Sequence, residues 1–315
     1  MPEPAATFKD VLAAAERISP YVHRTPVATS ATLQEETGAE VFFKCENLQK
    51  VGAFKARGAL NAVLSMDATD ASRGVVTHSS GNHGAALAYA ASIRDIPCTV
   101  VMPEDAPGVK VDAVRGYGAT IEFCKQLERE SASERVIAET GATMVHPFNN
   151  TAVIAGQGTA ALELIEDIQD LDIIITPIGG GGLMSGTAIT TRHLLPEARI
   201  IGAEPAEVDD AFRSMQTGQI QPRVANPNTV ADGLLTALGD LTFATLSWAG
   251  VEVILVDEPD IVAAALFHIH RMKLVVEPSG ATGLAAVRKL GSSIAGKRIG
   301  VIISGGNTDL AWLPN

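Results

Sequence analysis

Lys55 stands in the run Phe54-Lys55-Ala56-Arg57-Gly58, where an aromatic ring and small residues can withdraw an amine from water. Desolvation lowers a lysine's pKa and makes the amine nucleophilic toward an aldehyde. On a solvated helix face the same lysine would have no such reactivity. Gly179-Gly180-Gly181-Gly182-Leu183 follows an apolar run and precedes a segment of helical period. Consecutive glycine N–H groups at a helix start form a concavity for an anion, which makes phosphate the natural ligand unless the glycines serve only a tight turn. The run lacks the G-K-[ST] of a P-loop and the G-x-G-x-x-G of a dinucleotide fold.

Ser79-Ser80-Gly81-Asn82-His83-Gly84 sets hydroxyls and an amide between an expected strand and an alanine-rich helix. Ligands of open α/β sheets bind at that end of a strand, although Ser80 or Asn82 could equally be a helix cap. Ser304-Gly305-Gly306-Asn307 follows the apolar Gly300–Ile303 run and obeys the same logic. Glu204, Glu207, Asp209 and Asp210 gather carboxylates at a strand exit. They read either as acids favoured by a helix N-terminus or as ligands of a hard divalent cation such as Mg²⁺ or Ca²⁺.

The elements that must hold these groups are short β-branched runs alternating with Ala/Leu-rich segments of helical period, the pattern of parallel sheets with crossover helices. Strands are expected at 41–45, 74–77, 98–102, 120–123, 143–145, 172–177, 199–204, 252–256 and 298–304. Helices are expected at 54–64, 82–94, 129–140, 152–168, 183–194 and 260–273, and Thr7 with Asp10 should cap a first helix. The stretch 218–231 reads as a long loop without chemistry of its own.

The 315 residues predict about two domains. With 46% hydrophobic and 19% charged residues the chain is globular, and 29 glycines beside 4% aromatics suit tight turns. A net charge of −12 without a basic block argues against nucleic acid. No apolar stretch approaches the length of a membrane span, and the first residues lack a secretory pattern, so the expected location is cytoplasmic. Cys45, Cys98 and Cys124 form no C-x-x-C pair and are expected to be buried and free.

Taken together, the runs 43–58, 77–84, 177–186, 203–210 and 303–309 resemble, in order and over essentially the whole chain, the fold-type II pyridoxal-phosphate (PLP) enzymes. The similarity is greatest to the group of serine racemases, serine/threonine dehydratases and 3-hydroxyaspartate dehydratases. The resemblance implies a tryptophan synthase β-like fold of two open, twisted, mostly parallel α/β domains with PLP in the cleft. It implies a large domain of 1–65 plus 148–315, a small one of 66–147, and a homodimer.

By the same resemblance Lys55, beside Phe54, holds the cofactor as a Schiff base. Asn82 meets its phenolic oxygen, Gly179, Gly180, Gly181, Gly182 and Leu183 cradle its phosphate, and Ser304 faces the pyridine nitrogen. Ser79, Ser80, Gly81, Asn82 and His83 would contact the amino acid substrate. Glu204, Asp210 and the carbonyl of Val208 match a site for Mg²⁺, Ca²⁺ or Mn²⁺. Arg129 falls where a side chain can reach a second substrate carboxylate.

The first function so implied is elimination of water from serine, threonine or 3-hydroxyaspartate, giving a 2-oxo acid and ammonia with Lys55 as the base at Cα. Racemisation is the alternative, with Ser80 as the acid on the opposite face. A non-catalytic protein that kept the fold is disfavoured by the presence of both Lys55 and the glycine run.

Overall fold

The computed structural model describes residues 2–79, 81–104, 106, 108–125 and 128–313, without the side chain of Val109. Two sheets organise them. In the first, β1 (Val27–Ala28), β2 (Glu40–Cys45), β10 (Arg298–Ile303), β7 (Ile173–Pro177), β8 (Arg199–Pro205) and β9 (Glu252–Val256) lie side by side in that order. The two-residue edge strand β1 is antiparallel to β2, and the other pairings are parallel. In the second sheet β5 (Thr120–Cys124), β4 (Cys98–Pro103), β3 (Val75–His78) and β6 (Thr143–Met144) are all parallel.

A parallel sheet needs helical crossovers that cover its faces, so its central strands are apolar on both sides. Every residue of β7 is buried, and Ile173, Ile174 and Ile175 enter cores above and below it. Each such side chain contributes about 2–3 kcal/mol by leaving water. The alternation expected from the sequence is therefore present, and all three cysteines are buried and free. Thr7 and Asp10 form the reciprocal cap, with the Thr7 N–H donating to Asp10 Oδ2 at 2.8 Å.

Two elements differ from expectation. Ala31–Thr37 is a helix between the Ser30 cap and the left-handed Gly38, where the sequence reading placed none. With only Leu33 and Thr37 buried, its seven residues are too few to show a period. The helix expected to run to residue 273 ends at Phe267, continues as one wide turn, His268–Met272, and reverses at Lys273 with φ of 61°. That turn redirects the chain toward Glu277. Among the described residues no helix is long and apolar enough to cross a membrane.

Candidate active site

The carboxyl ends of β2, β10 and β7, three neighbours in the first sheet, open onto one cleft of about 730 Å³. The end of β2 leads to Lys55, that of β10 to Ser304, and that of β7 to the glycine run. From the second sheet β3 delivers Ser79, Gly81 and Asn82, while β6 leads into His146 and Pro147. Ligands of open α/β sheets settle in this kind of crevice.

Lys55 begins the helix Lys55–Ser65. The loop before it is stitched to the exit of β10 by a bridge between Ala53 and Gly305 and by the Phe54 N–H, which donates to the Ser304 carbonyl at 3.0 Å. Its Nζ donates to the Pro147 carbonyl at 2.8 Å and lies 5.1 Å from the centre of the Phe54 ring. Burial pulls the amine down to about 8, against the opposing pull of Glu277. A lysine so placed has a substantial neutral fraction near physiological pH, which both a nucleophile and a base require.

Asn82 starts the helix Asn82–Arg94. Its Nδ2 donates to Glu277 Oε1 at 2.9 Å, and its Oδ1 accepts from Asn307 Nδ2 at 2.9 Å. Nδ2 also lies 3.3 Å from Glu277 Oε2, so these bonds together fix the amide's orientation and hold its nitrogen against the Glu277 carboxyl. Asn307 Nδ2 also reaches the carbonyl of Val51 at 2.7 Å. Val51 holds a φ of 56°, a strained conformation for a β-branched side chain, in the loop leading to Lys55. Glu277 is only 5% exposed, and burial, with the negative charge of Asp232, pushes its carboxyl up to about 8. Ser304, 4% exposed, lines the same cleft.

The glycine run caps the buried helix Gly182–Leu194, and Gly181 is left-handed with φ of 83°. A Cβ on Gly180 would enter the Phe148 ring, and one on Gly182 would come within 2.9 Å of Phe148 Cβ. Bare backbone is thus required on this wall, and its N–H groups at a helix start suit a phosphate. The residues fit PLP: an amine for the aldehyde, an anion cradle, an amide donor and a hydroxyl.

Glu204, Val208 and Asp210 lie apart from the cleft lining. Glu204 Oε1 accepts from the Ala211 N–H and Oε2 from the Phe212 N–H, both at 2.8 Å. Burial pushes Glu204 up to about 8 and Asp210 up to about 6, and Asp210 Oδ2 is buried without a hydrogen-bond partner among the described residues. Two desolvated carboxylates, one with an orphaned oxygen, have a donor set suited to a hard cation. Among the described residues no group of three or more His, Cys, Asp or Glu side chains is arranged for a metal, so any cation here would need backbone or water oxygens as well.

The structure brings Phe54, Lys55, Ser79, Gly81, Asn82, His83, Arg129, Gly179–Leu183 and Ser304 to one cleft; Ser80 lies outside the described residues. His83 is buried, with Nε2 3.0 Å from the Val145 carbonyl, and burial holds it down at about 3, so its ring is neutral. The stretch 218–231 is irregular as expected, but it is not without a place in the site, since Arg223 within it lines the cleft. Sequence reasoning missed Glu277, His78 and His146, while Asn307 lies in the run already singled out after β10. Glu277-Pro278 looks like an ordinary helix start, and the run His146-Pro147-Phe148-Asn149 carries no motif beyond its position before a helix.

A family model described as pyridoxal-phosphate dependent enzyme matches residues 18–305. A serine racemase of Dictyostelium discoideum is 51% identical over 98% of this chain and 97% of its own length. A β-hydroxyaspartate dehydratase of Paracoccus denitrificans is likewise 51% identical, over 98% of both chains. The crystal structure of serine racemase from Dictyostelium discoideum superposes with a TM-score of 0.93, covering 97% of this chain and 100% of that one.

Proposed function

Because this chain belongs to the pyridoxal-phosphate-dependent enzymes, with the fold-type II architecture, we propose that it eliminates water from a 3-hydroxy amino acid to give a 2-oxo acid and ammonia. The observation that carries this reading is the depressed Lys55 amine, aimed into a cleft that also holds an anion cradle. PLP, when bound, supplies the sink for the electron pair released at the substrate's Cα. Gly179–Leu183 would hold its phosphate, Asn82 would meet its phenolic oxygen, and Ser304 would face its pyridine nitrogen. Lys55, half-buried and partly neutral, removes the proton from Cα. Ser304 would offer that nitrogen a hydroxyl, a weaker partner for a proton than a carboxylate would be.

Racemisation is the second reading. The serine racemase similarity supports it, and Ser80 would be the acid opposite Lys55. Glu204, Asp210 and the Val208 carbonyl would hold Mg²⁺, Ca²⁺ or Mn²⁺ away from the chemistry. The domains are taken as 1–65 plus 148–315 and 66–147, the enzyme as a homodimer, and its free buried cysteines accord with the cytoplasm.

Serine, threonine and 3-hydroxyaspartate, each as separate stereoisomers, should be incubated with PLP-loaded enzyme while 2-oxo acid and inverted amino acid are both measured. Release of 2-oxo acid from at least one is expected. Inversion without 2-oxo acid would select the racemase reading, and neither product from any substrate would overturn both.

A further inference from the structure

His146 lies on the cleft wall beside Pro147, whose carbonyl accepts from Lys55. Its Nδ1 accepts from the backbone N–H of Asn149 at 2.9 Å and of Phe148 at 3.4 Å. A ring nitrogen that accepts carries no proton, so the neutral imidazole has its proton on Nε2. Burial first, then the nearby His78 and Lys55, hold the ring's pKa at about 4, which keeps it neutral in this form. The ring is wedged edge-on between Phe148, at 4.5 Å, and His78, at 5.6 Å. Nε2 has no hydrogen-bond partner among the described residues.

Arg129 approaches the same wall from the start of the helix Arg129–Thr140, close enough that its charge opposes protonation of His78. It forms no ion pair among the described residues, and neither does Arg223, the other arginine that lines the cleft. One wall of the cleft thus presents a guanidinium and an imidazole N–H, both donors without protein acceptors. A methyl or hydrogen at the substrate's β-carbon would satisfy neither, whereas a carboxylate has lone pairs for both.

We propose that His146 is a specificity-determining residue whose Nε2–H, fixed by the amides of Phe148 and Asn149, joins Arg129 in binding the distal carboxylate of a 3-hydroxy dicarboxylic amino acid. The inference rests on the dehydratase reading and narrows it to one substrate class. A site built to donate to a substrate group discriminates strongly against substrates that lack it, because its own donors are then left unpaired.

Two variants separate the nitrogens. His146→Asn keeps an acceptor near Nδ1 and has nothing at Nε2, while His146→Gln restores a donor near Nε2. His146→Asn should raise KM for 3-hydroxyaspartate by about 30- to 100-fold, the usual cost of a hydrogen bond to a charged group, and change kcat/KM for serine by less than about 3-fold. His146→Gln should recover part of the loss. Independently of turnover, the imidazole nitrogen resonances of the wild-type protein should show His146 with its proton on Nε2 from about pH 6 to 8.

Equal losses for both substrates, an unchanged His146→Asn enzyme, or a proton found on Nδ1 would each overturn the proposal. Wild-type enzyme that turns over serine or threonine and ignores 3-hydroxyaspartate would overturn it and leave the dehydratase reading standing. Absence of 2-oxo acid from all three would remove that reading first.

Discussion

Arg57 Nε and Glu46 Oε2 lie 2.7 Å apart with neither side chain reachable by solvent, two residues beyond Lys55. The guanidinium also meets Glu163 at 2.7 Å, and Glu163 in turn meets the fully buried Lys44 at 2.7 Å. The first turn of the Lys55 helix is therefore anchored by charge. Removing Glu46 leaves the buried guanidinium one carboxylate short, with Glu163 as its remaining charged partner. Glu46→Ala should cost about 3 kcal/mol, measured as a lower urea midpoint with an unchanged slope.

Lys55→Ala should lose the visible absorption of the lysine-bound cofactor and lower kcat by about 10³-fold or more, since both linkage and base are removed. Absorption spectra and single-turnover rates test this, and a variant of normal activity would refute the assignment.

At Gly180 the ring of Phe148 occupies the space a methyl group would need. Gly180→Ala should therefore displace either the ring or the loop and weaken PLP binding by about 10-fold or more, a loss of roughly 1.4 kcal/mol. Combining it with Phe148→Ala should restore part of the affinity, read by fluorescence titration. A double variant no better than the single one would show that the loop needs glycine for another reason.

Glu277 makes stability depend on pH with a defined sign. Its carboxyl holds a proton more tightly in the folded chain, with a pKa of about 8 against an ordinary 4.5. The stabilisation is complete below pH 4.5 and is lost as pH rises through 8. The melting temperature of the cofactor-free protein should decline between about pH 5 and 8, and Glu277→Gln should flatten that decline. An identical slope in the variant would contradict the assignment.

For the acid pair, millimolar Mg²⁺ or Ca²⁺ should raise the melting temperature by about 3–6 °C if the concentration is well above Kd, by preferential binding to the folded chain. Asp210→Asn should abolish the response. A chelated wild-type protein with unaltered melting and rate would leave Glu204 as a helix cap only.

Much of this architecture is legible in the sequence because the signals are local. The triple isoleucine of β7 followed by four glycines declares a buried strand, a tight turn and a helix start within a dozen residues. Asn82 and Ser304 stand in runs whose residue types suit one end of a strand, whereas Lys55 alone reads equally as a solvated lysine and is singled out only by the five runs taken together. Glu277 was not legible, because what makes it special is contact with Asn82, 195 positions away, together with burial that no neighbouring residue announces. His146 is similar: its tautomer is set within three residues, but its meaning depends on Arg129 and His78 arriving from other elements. Arg223 escaped notice because a proline-rich stretch shows that it is irregular without showing where it lies.

β10 is last in order among the strands of its sheet, yet it lies between β2 and β7. During synthesis every other strand of that sheet leaves the ribosome before the one that joins them. Until β10 inserts, β2 and β7 each expose an unpaired edge, and Ser304, Gly305 and Asn307 are absent from the cleft. The nascent chain thus passes through a stage with helices available and the sheet divided, a stage at which another copy of the same chain could supply the missing strand. Expression yield should therefore respond to substitutions in Arg298–Ile303 more steeply than the melting temperature of the finished protein does.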